Sequence, residues 1–219
     1  MTSLAEENYL KAIYTLQEKN ATTASTSALA ECLDVSAASV TDFIKKMSVK
    51  KLITYEKSKG VTLTDKGKKI ALAIIRKHRL WEVWLVEKLG FKWDEVHDIA
   101  EQLEHIASDD LITKLDVHLG HPTTDPHGDL IPDATGKFVK TTSKPLATYA
   151  IKDTLKFIGV ADHSTNFLQY LTKSNIALGD TITIESIEDF DQSFIVLINK
   201  KTMKTLSKDV VKNVLVVKI

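Results

Sequence analysis

The hydrophobic residues of this chain keep a helical period up to about residue 120 and alternate from about residue 182, and that change limits what it can fold into. Before it, apolar side chains recur every three to four residues, the spacing of one helix face. Leu4, Tyr9, Leu10, Ile13, Tyr14 and Leu16 predict an amphipathic helix over 4–18. A short second helix, capped by Ser27, carries Leu29, Ala30, Cys32 and Leu33; a third opens at Ser36 and turns Val40, Phe43, Ile44 and Met47 inward. A long helix over 66–89, capped by Thr64 or Asp65 and ended at Gly90, precedes two more at 93–106 and 109–119. Residues 120–145 hold all four prolines and no sustained period, which marks a domain edge and linker. After a brief helical signal at 164–172, the period becomes two: Ile182, Ile184, Ile187; Phe194, Val196, Ile198; Leu215, Val217, Ile219. The expected architecture is mainly α with a small β part, in three domains over 1–64, 65–140 and 141–219, the last a small SH3-like β-barrel.

The first segment reads as a DNA-binding module. A short helix, a turn at Asp34-Val35 and a second helix with a small polar start form a helix-turn-helix. Two β-prone runs, 52–55 and 61–63, flank Glu56-Lys57-Ser58-Lys59-Gly60 and predict a hairpin with a basic tip, a wing in which Gly60 takes a positive φ. At the helix start, Ala37 and Ala38 suit a thymine methyl, and Ser36, Ser39 and Thr41 suit a base edge or phosphate. Asp42 suits a cytosine amine, or repels phosphate, or holds a neighbour. Lys45 and Lys46, with Lys57, Ser58 and Lys59 at the wing tip, are backbone contacts that position the module without specifying sequence.

A formal net charge of zero conceals a strong contrast between neighbouring segments. Residues 36–79 hold twelve Lys or Arg against three acids, whereas residues 82–133 hold thirteen Asp or Glu, three Lys and five of the seven histidines. One segment suits polyphosphate and the next suits cations. From the end of the first into the second, metal-capable side chains recur at helical spacing: His78 with Glu82, and His97, Glu101, Glu104 with His105. Residues three or four apart share a helix face, so these sets can pinch an ion, and two neighbouring sites result. Carboxylates and imidazoles without thiolate favour Mn2+, Fe2+, Co2+ or Zn2+, with carboxylate-rich shells shifted toward Mn2+. His118, His121 and His127 read as structural, with residues 125–128 forming turns.

The composition excludes other classes. The single Cys32 permits no intrachain disulfide and reads as a small buried side chain. No apolar run reaches the roughly 18 to 20 residues of a membrane span, and Glu6 and Glu7 do not fit a signal peptide, so the expectation is a cytoplasmic protein without a membrane partner. No HExxH, nucleophile elbow or Gly-rich phosphate loop is present, so no enzyme and no organic cofactor are expected. Two alternatives remain: a winged-helix regulator sensing another ligand, and a metallohydrolase.

These residues resemble the metal-dependent repressors of the diphtheria-toxin-repressor and manganese-transport-regulator family. The resemblance is carried by residues 7–16 (ENYLKAIYTL), 36–47 (SAASVTDFIKKM), 60–71 (GVTLTDKGKKIA), 76–90 (RKHRLWEVWLVEKLG), 96–109 (VHDIAEQLEHIASD) and 125–132 (DPHGDLIP), across essentially the whole chain. It implies a winged helix-turn-helix, a central helical dimerisation and metal domain, and an SH3-like, FeoA-like C-terminal domain. It further implies a homodimer that binds a palindromic DNA operator and two ions per subunit, Mn2+ or Fe2+. One ion would use Asn8, Glu101, Glu104 and His105, and the other His78, Glu82 and His97, with His163 or Asp162 from the third domain. Asn166 is also within reach of that segment. The family's iron-type members carry cysteine where this chain has Glu101, so the resemblance is to the manganese type, with Fe2+ close. Asn8 departs from the family's Asp or Met, and its amide brings no charge.

Overall fold

The computed structural model describes residues 2–20, 23–56 and 59–219, with Lys19 and Asn20 described by their backbone alone. The chain forms two compact units. The first comprises residues 1–81, 100–114 and 132–138, and the second residues 82–99, 115–131 and 139–219.

The first unit opens with α1 (Leu4–Asn20), α2 (Thr26–Cys32) and α3 (Ala37–Val49). Ser3 and Glu6 start α1 reciprocally: Ser3 Oγ accepts from the Glu6 amide at 3.3 Å and Glu6 Oε2 from the Ser3 amide at 3.0 Å, a capping box. Ser25, two residues before the expected Ser27, caps α2 by accepting from the Ala28 amide, and Ser36 caps α3 by accepting from the Ser39 amide. Leu10, Ile13, Leu29, Val40, Ile44 and Met47 bury together in one core, with Tyr9 stacked on Phe43 at 4.3 Å between ring centroids. That core fixes α1 against α3.

Cys32 is exposed, contrary to the expectation from the sequence. Leu29, Ala30 and Leu33 define the inward face of α2, and at 100° per residue position 32 lies roughly 110° from its centre. After α3 come β1 (Ile53–Glu56) and β2 (Gly60–Leu63), an antiparallel pair in which Gly60 has φ +99°. Thr64 Oγ1 then accepts from the Gly67 amide and starts α4 (Asp65–Leu89), which ends before Gly90. Next come α5 (His97–Leu103), shorter than expected because residues 93–96 form turns, and α6 (Asp109–His118). Among the described residues no helix is long and apolar enough to cross a membrane.

The second unit is built on a six-stranded antiparallel sheet. Its strands are β3 (Lys144–Pro145), β4 (Thr154–Val160), β5 (Thr181–Ile187), β6 (Phe194–Ile198), β7 (Thr202–Leu206) and β8 (Val214–Lys218), in the order β3-β8-β4-β5-β6-β7. Alternate side chains such as Leu155, Phe157, Ile182, Ile184, Val196 and Val216 point to one core, closed by Leu168 and Leu171 of α7 (Thr165–Lys173) and Val211 of α8 (Lys208–Asn213). This is the expected SH3-like, FeoA-like arrangement, with its hydrogen bonding running from β3 at one edge to β7 at the other.

Two outcomes follow from these contacts. Gly128 has φ +88°, and a methyl group there would lie 2.0 Å from the Ile158 carbonyl oxygen and 2.3 Å from Gly159 Cα. Gly128→Ala is therefore expected to destabilise the fold by at least about 2 kcal/mol in denaturant titration. Glu6 is buried and bonds Lys50, at the end of α3, at 2.5 Å; that bond holds its carboxyl below the ordinary 4.5. A depressed folded value gives stability that is full above the unfolded value and is lost as pH falls through the folded one. Glu6→Gln is expected to cost about 1–2 kcal/mol at neutral pH and to shrink that acid loss in thermal melts.

Candidate metal centres

The first unit gathers a polar cluster from three helices. Glu7, Asn8 and Lys11 follow one another on α1, His78 stands on α4, and Glu101 closes α5, with Glu104 and His105 in the turn beyond it. The Glu104 amide still bonds the Ala100 carbonyl at 2.9 Å, so the last helical turn fixes where its side chain starts. Glu104 is fully buried. Its Oε2 lies 2.6 Å from His78 Nδ1 and 2.6 Å from Lys11 Nζ, and Lys11 also bonds Glu101 Oε1 at 2.5 Å. His105 Nδ1 pairs with Glu7 Oε2 at 2.8 Å, which turns its Nε2 toward Glu104 Oε1 at 3.7 Å.

Two buried oxygens, Asn8 Oδ1 on α1 next to Glu7 and Glu104 Oε1 in the turn after α5, have no hydrogen-bond partner among the described residues. A buried acceptor without a donor costs on the order of 1–3 kcal/mol and calls for an explanation. A carboxylate oxygen, an amide oxygen and an imidazole nitrogen are donors that suit a divalent ion of the Mn2+ or Fe2+ kind. The Glu7 carboxylate behind His105 orients the ring in the way that carboxylates orient metal-bound histidines. The residues present therefore fit a metal ion.

The second unit holds a second cluster. Ligand atoms of Glu82, Asp125 and His127 all lie within 4.8 Å of one another, and all three side chains are buried. Asp125 is set by its own turn, its Oδ1 accepting from the His127 amide at 2.8 Å and the Asp129 amide at 3.0 Å. His127 Nε2 donates to the Trp93 carbonyl at 2.7 Å, which aims Nδ1 at Glu82 Oε2, 3.6 Å away. Burial opposes a charge on this imidazole, but the bond to Glu82, the Glu82 and Asp125 charges and the Trp93 carbonyl outweigh it and raise His127 to about 9. The same negative field of Glu82 and Asp125 that holds the imidazole proton would also attract a divalent cation, which would have to displace that proton to use Nδ1.

His97, exposed, places Nδ1 3.7 Å from Glu82 Oε1. His163 Nε2 lies 3.8 Å from Asp129 Oδ2, and its ring centroid 5.2 Å from that of His127. Asp162 Oδ1 accepts from the Ser164 amide at 2.8 Å, ahead of α7, and Asn166 is exposed. Four of the residues named from sequence, Asn8, Glu101, Glu104 and His105, belong to the first cluster, and Glu82, His97, His163 and Asp162 to the second unit. His78 meets Lys11, Glu104 and Glu101 in the first. Sequence reasoning missed Glu7, Lys11, Asp125 and His127. The i, i+4 pair Glu7/Lys11 astride Asn8 was the available signal for the first two, whereas Asp125 and His127 were read as a turn.

In the helix-turn-helix, Ser36, Ala37, Ala38, Ser39, Asp42, Lys45 and Lys46 are exposed. Asp42 holds a neighbour, Lys45, at 3.5 Å; Thr41 Oγ1 bonds the Ala37 carbonyl at 2.9 Å; and Ser36 Oγ is engaged with Ser39. Lys59 pairs with Glu56 at 2.7 Å, and Lys57 and Ser58 lie outside the described residues.

Comparisons with known proteins agree in order along the chain. Residues 1–61 match a family model described as the iron dependent repressor N-terminal DNA binding domain, residues 64–133 its metal binding and dimerisation domain, and residues 144–218 the FeoA domain. The iron-dependent repressor IdeR of Mycobacterium tuberculosis is 39% identical over 58% of this chain and 54% of its own. The chain thus spans about half the length of the curated IdeR relatives it matches. The HTH-type transcriptional regulator MntR of Oceanobacillus iheyensis is 35% identical over 60% of this chain and 80% of its own. Among structures, a manganese-dependent transcriptional repressor in complex with manganese aligns at TM-score 0.89 and 35% identity, over 98% of this chain and 100% of that one. ScaR with bound Zn2+ aligns at TM-score 0.78 and 31% identity, over 98% and 99%. The chain belongs to the iron-dependent repressor family, whose members are DNA-binding regulators and not enzymes.

Proposed function

We propose that this protein is a metal-activated repressor, switched by Mn2+ or Fe2+, that binds palindromic operators of metal-uptake genes as a homodimer in the cytoplasm. Its domains divide at 1–64, 65–140 and 141–219. The observation that carries the reading is the buried Glu104 Oε1, without a hydrogen-bond partner and 3.7 Å from the Nε2 of a histidine already oriented by Glu7, with the likewise buried and unbonded Asn8 Oδ1 next to Glu7 in sequence. One ion is assigned to Asn8, Glu101, Glu104 and His105. A second is assigned to Glu82, Asp125 and His127, with His97, His163 and Asp162 in support. His78, read from the sequence with Glu82 and His97, takes the role of orienting Glu104. Oxygen-rich donors favour Mn2+, and a manganese-dependent repressor is among the similar structures.

The bound ion supplies positive charge that compensates Glu101 and Glu104. The chain does the rest through α1. Asn8 and Glu7 sit on the same helix as Tyr9, Leu10 and Ile13, which are packed into the helix-turn-helix core, and Glu6 bonds the end of α3. Holding Asn8 and Glu7 against Glu104 and His105 therefore holds the recognition helix in one orientation, a population shift toward the DNA-competent form. In a dimer, two recognition helices then face half-sites about one DNA turn apart. The exposed Lys45, Lys46 and wing lysines meet phosphate, and the small residues at the start of α3 meet base edges.

Fluorescence anisotropy with a labelled operator, titrated with Mn2+, Fe2+ and Zn2+ separately, tests this. Operator affinity is expected to rise at least about tenfold with Mn2+. Glu101→Ala with Glu104→Ala is expected to abolish the rise, and equal binding in metal and in chelator sinks the proposal. A second outcome concerns charge. Lys45→Ala and Lys46→Ala are each expected to weaken binding to all sequences alike and to flatten the log affinity against log salt slope by about one.

A further inference from the structure

We infer that Lys11 is a built-in cation of the first cluster, standing where a second ion would otherwise bind and limiting the cluster to a single divalent ion. The inference rests on the metal reading above. One lysine nitrogen here meets three groups of the kind that hold a metal: Glu101 Oε1 at 2.5 Å, Glu104 Oε2 at 2.6 Å and His78 Nδ1 at 3.2 Å. The Lys11 side chain is only 18% exposed, so this is an enclosed ammonium group and not a surface pair.

Glu104 divides the cluster in two. Its Oε2 is engaged by Lys11 and His78, whereas Oε1 has no hydrogen-bond partner and faces His105 Nε2 at 3.7 Å. The oxygen that lacks a hydrogen bond, Glu104 Oε1, is thus not the one Lys11 holds, and a divalent ion can bind it without evicting the ammonium. The charges agree. Glu7, Glu101 and Glu104 carry three negative charges, which Lys11 and one divalent ion balance. Lys11 with two divalent ions would leave an excess of two positive charges in a partly buried site, a costly imbalance. The neutral Asn8 fits the same count, because a fourth carboxylate would call for more positive charge.

The test counts ions. In the full chain with the second cluster disabled by Glu82→Gln and His127→Ala, equilibrium dialysis is expected to find one Mn2+ per chain. Adding Lys11→Glu creates a fourth negative charge and an empty cation position, so two Mn2+ are expected, with the exchange-broadened electron paramagnetic resonance signal of neighbouring ions. Adding Lys11→Met keeps one ion and is expected to tighten it at least about tenfold, since a nearby positive charge is removed. Two ions in the background protein, one ion in Lys11→Glu, or unchanged affinity in Lys11→Met each overturns the inference. If Lys11→Glu does not fold, Lys11→Met decides. A background protein that binds no Mn2+ refutes the metal reading itself, and this inference with it.

Discussion

A carboxylate with no exposure to water, that of Glu104, is the constraint on which the first unit depends. A charge of that kind is tolerated only when it is paired and hydrogen-bonded, and its partners come from far away in sequence: Lys11 on α1 and His78 on α4. The same α1 contributes Tyr9, Leu10 and Ile13 to the helix-turn-helix core. The residue that neutralises a charge in the acidic segment, Lys11, and the residues that pack the DNA-reading module therefore sit on one helix within two positions of each other. Any change in how Glu104 is neutralised acts on α1, and α1 cannot shift alone because Tyr9 stacks on Phe43 and Glu6 grips Lys50.

The second unit solves a related problem with backbone. Asp125 accepts two amides of its own turn, and Gly128, where no side chain fits, lets that turn lie directly on β4, with the Val160 amide bonding the His127 carbonyl at 3.0 Å. His127 is thereby held from both sides, by its backbone on the sheet and by its ring on the Trp93 carbonyl. A side chain fixed at both ends loses little freedom on meeting a ligand, which is what a binding position needs. The FeoA-like sheet thus positions a histidine that lies outside its own strands.

The helices, the wing and the strands β5 and β6 were legible because each rests on a local pattern, such as Ser36 before Val40, Ile44 and Met47 or Gly60 closing a hairpin. Strand β8 instead buries Val214 and Val216 and is followed by an exposed Ile219, the opposite face to the expected Leu215, Val217 and Ile219, because an apolar run of Val and Leu on both faces leaves the phase open. That Glu101, Glu104 and His105 fall close together was legible for the same reason, since i, i+3 and i+4 spacing is local, although Glu104 and His105 lie in the turn after α5. Asp125 and His127 were not, because their relation to Glu82 spans more than forty residues and the turn between Asp125 and Gly128 hides a buried carboxylate behind an ordinary loop sequence. Cys32 failed for a different reason: a two-turn helix leaves too few apolar positions to fix the angle of its buried face. Ser25 took the cap assigned to Ser27 because the two serines are chemically equivalent, and only the helix register separates them.

The zero net charge acquires a physical sense from this distribution. Among the described residues, the buried carboxylates are Glu6, Glu82, Glu104 and Asp125 and the buried imidazoles His78 and His127; no lysine or arginine joins them. Lysines of the recognition segment, Lys45, Lys46, Lys50 and Lys51, stay at the surface, so acids are withdrawn from solvent while bases remain in it. Electrostatic attraction for a polyanion follows the exposed charge more than the formal sum. The withdrawn carboxylates, apart from Glu6 with its lysine, must then be neutralised from within by Lys11, by protonated histidine or by a divalent ion. The segregation that frees a basic face for DNA is the same one that creates the demand for a cation inside.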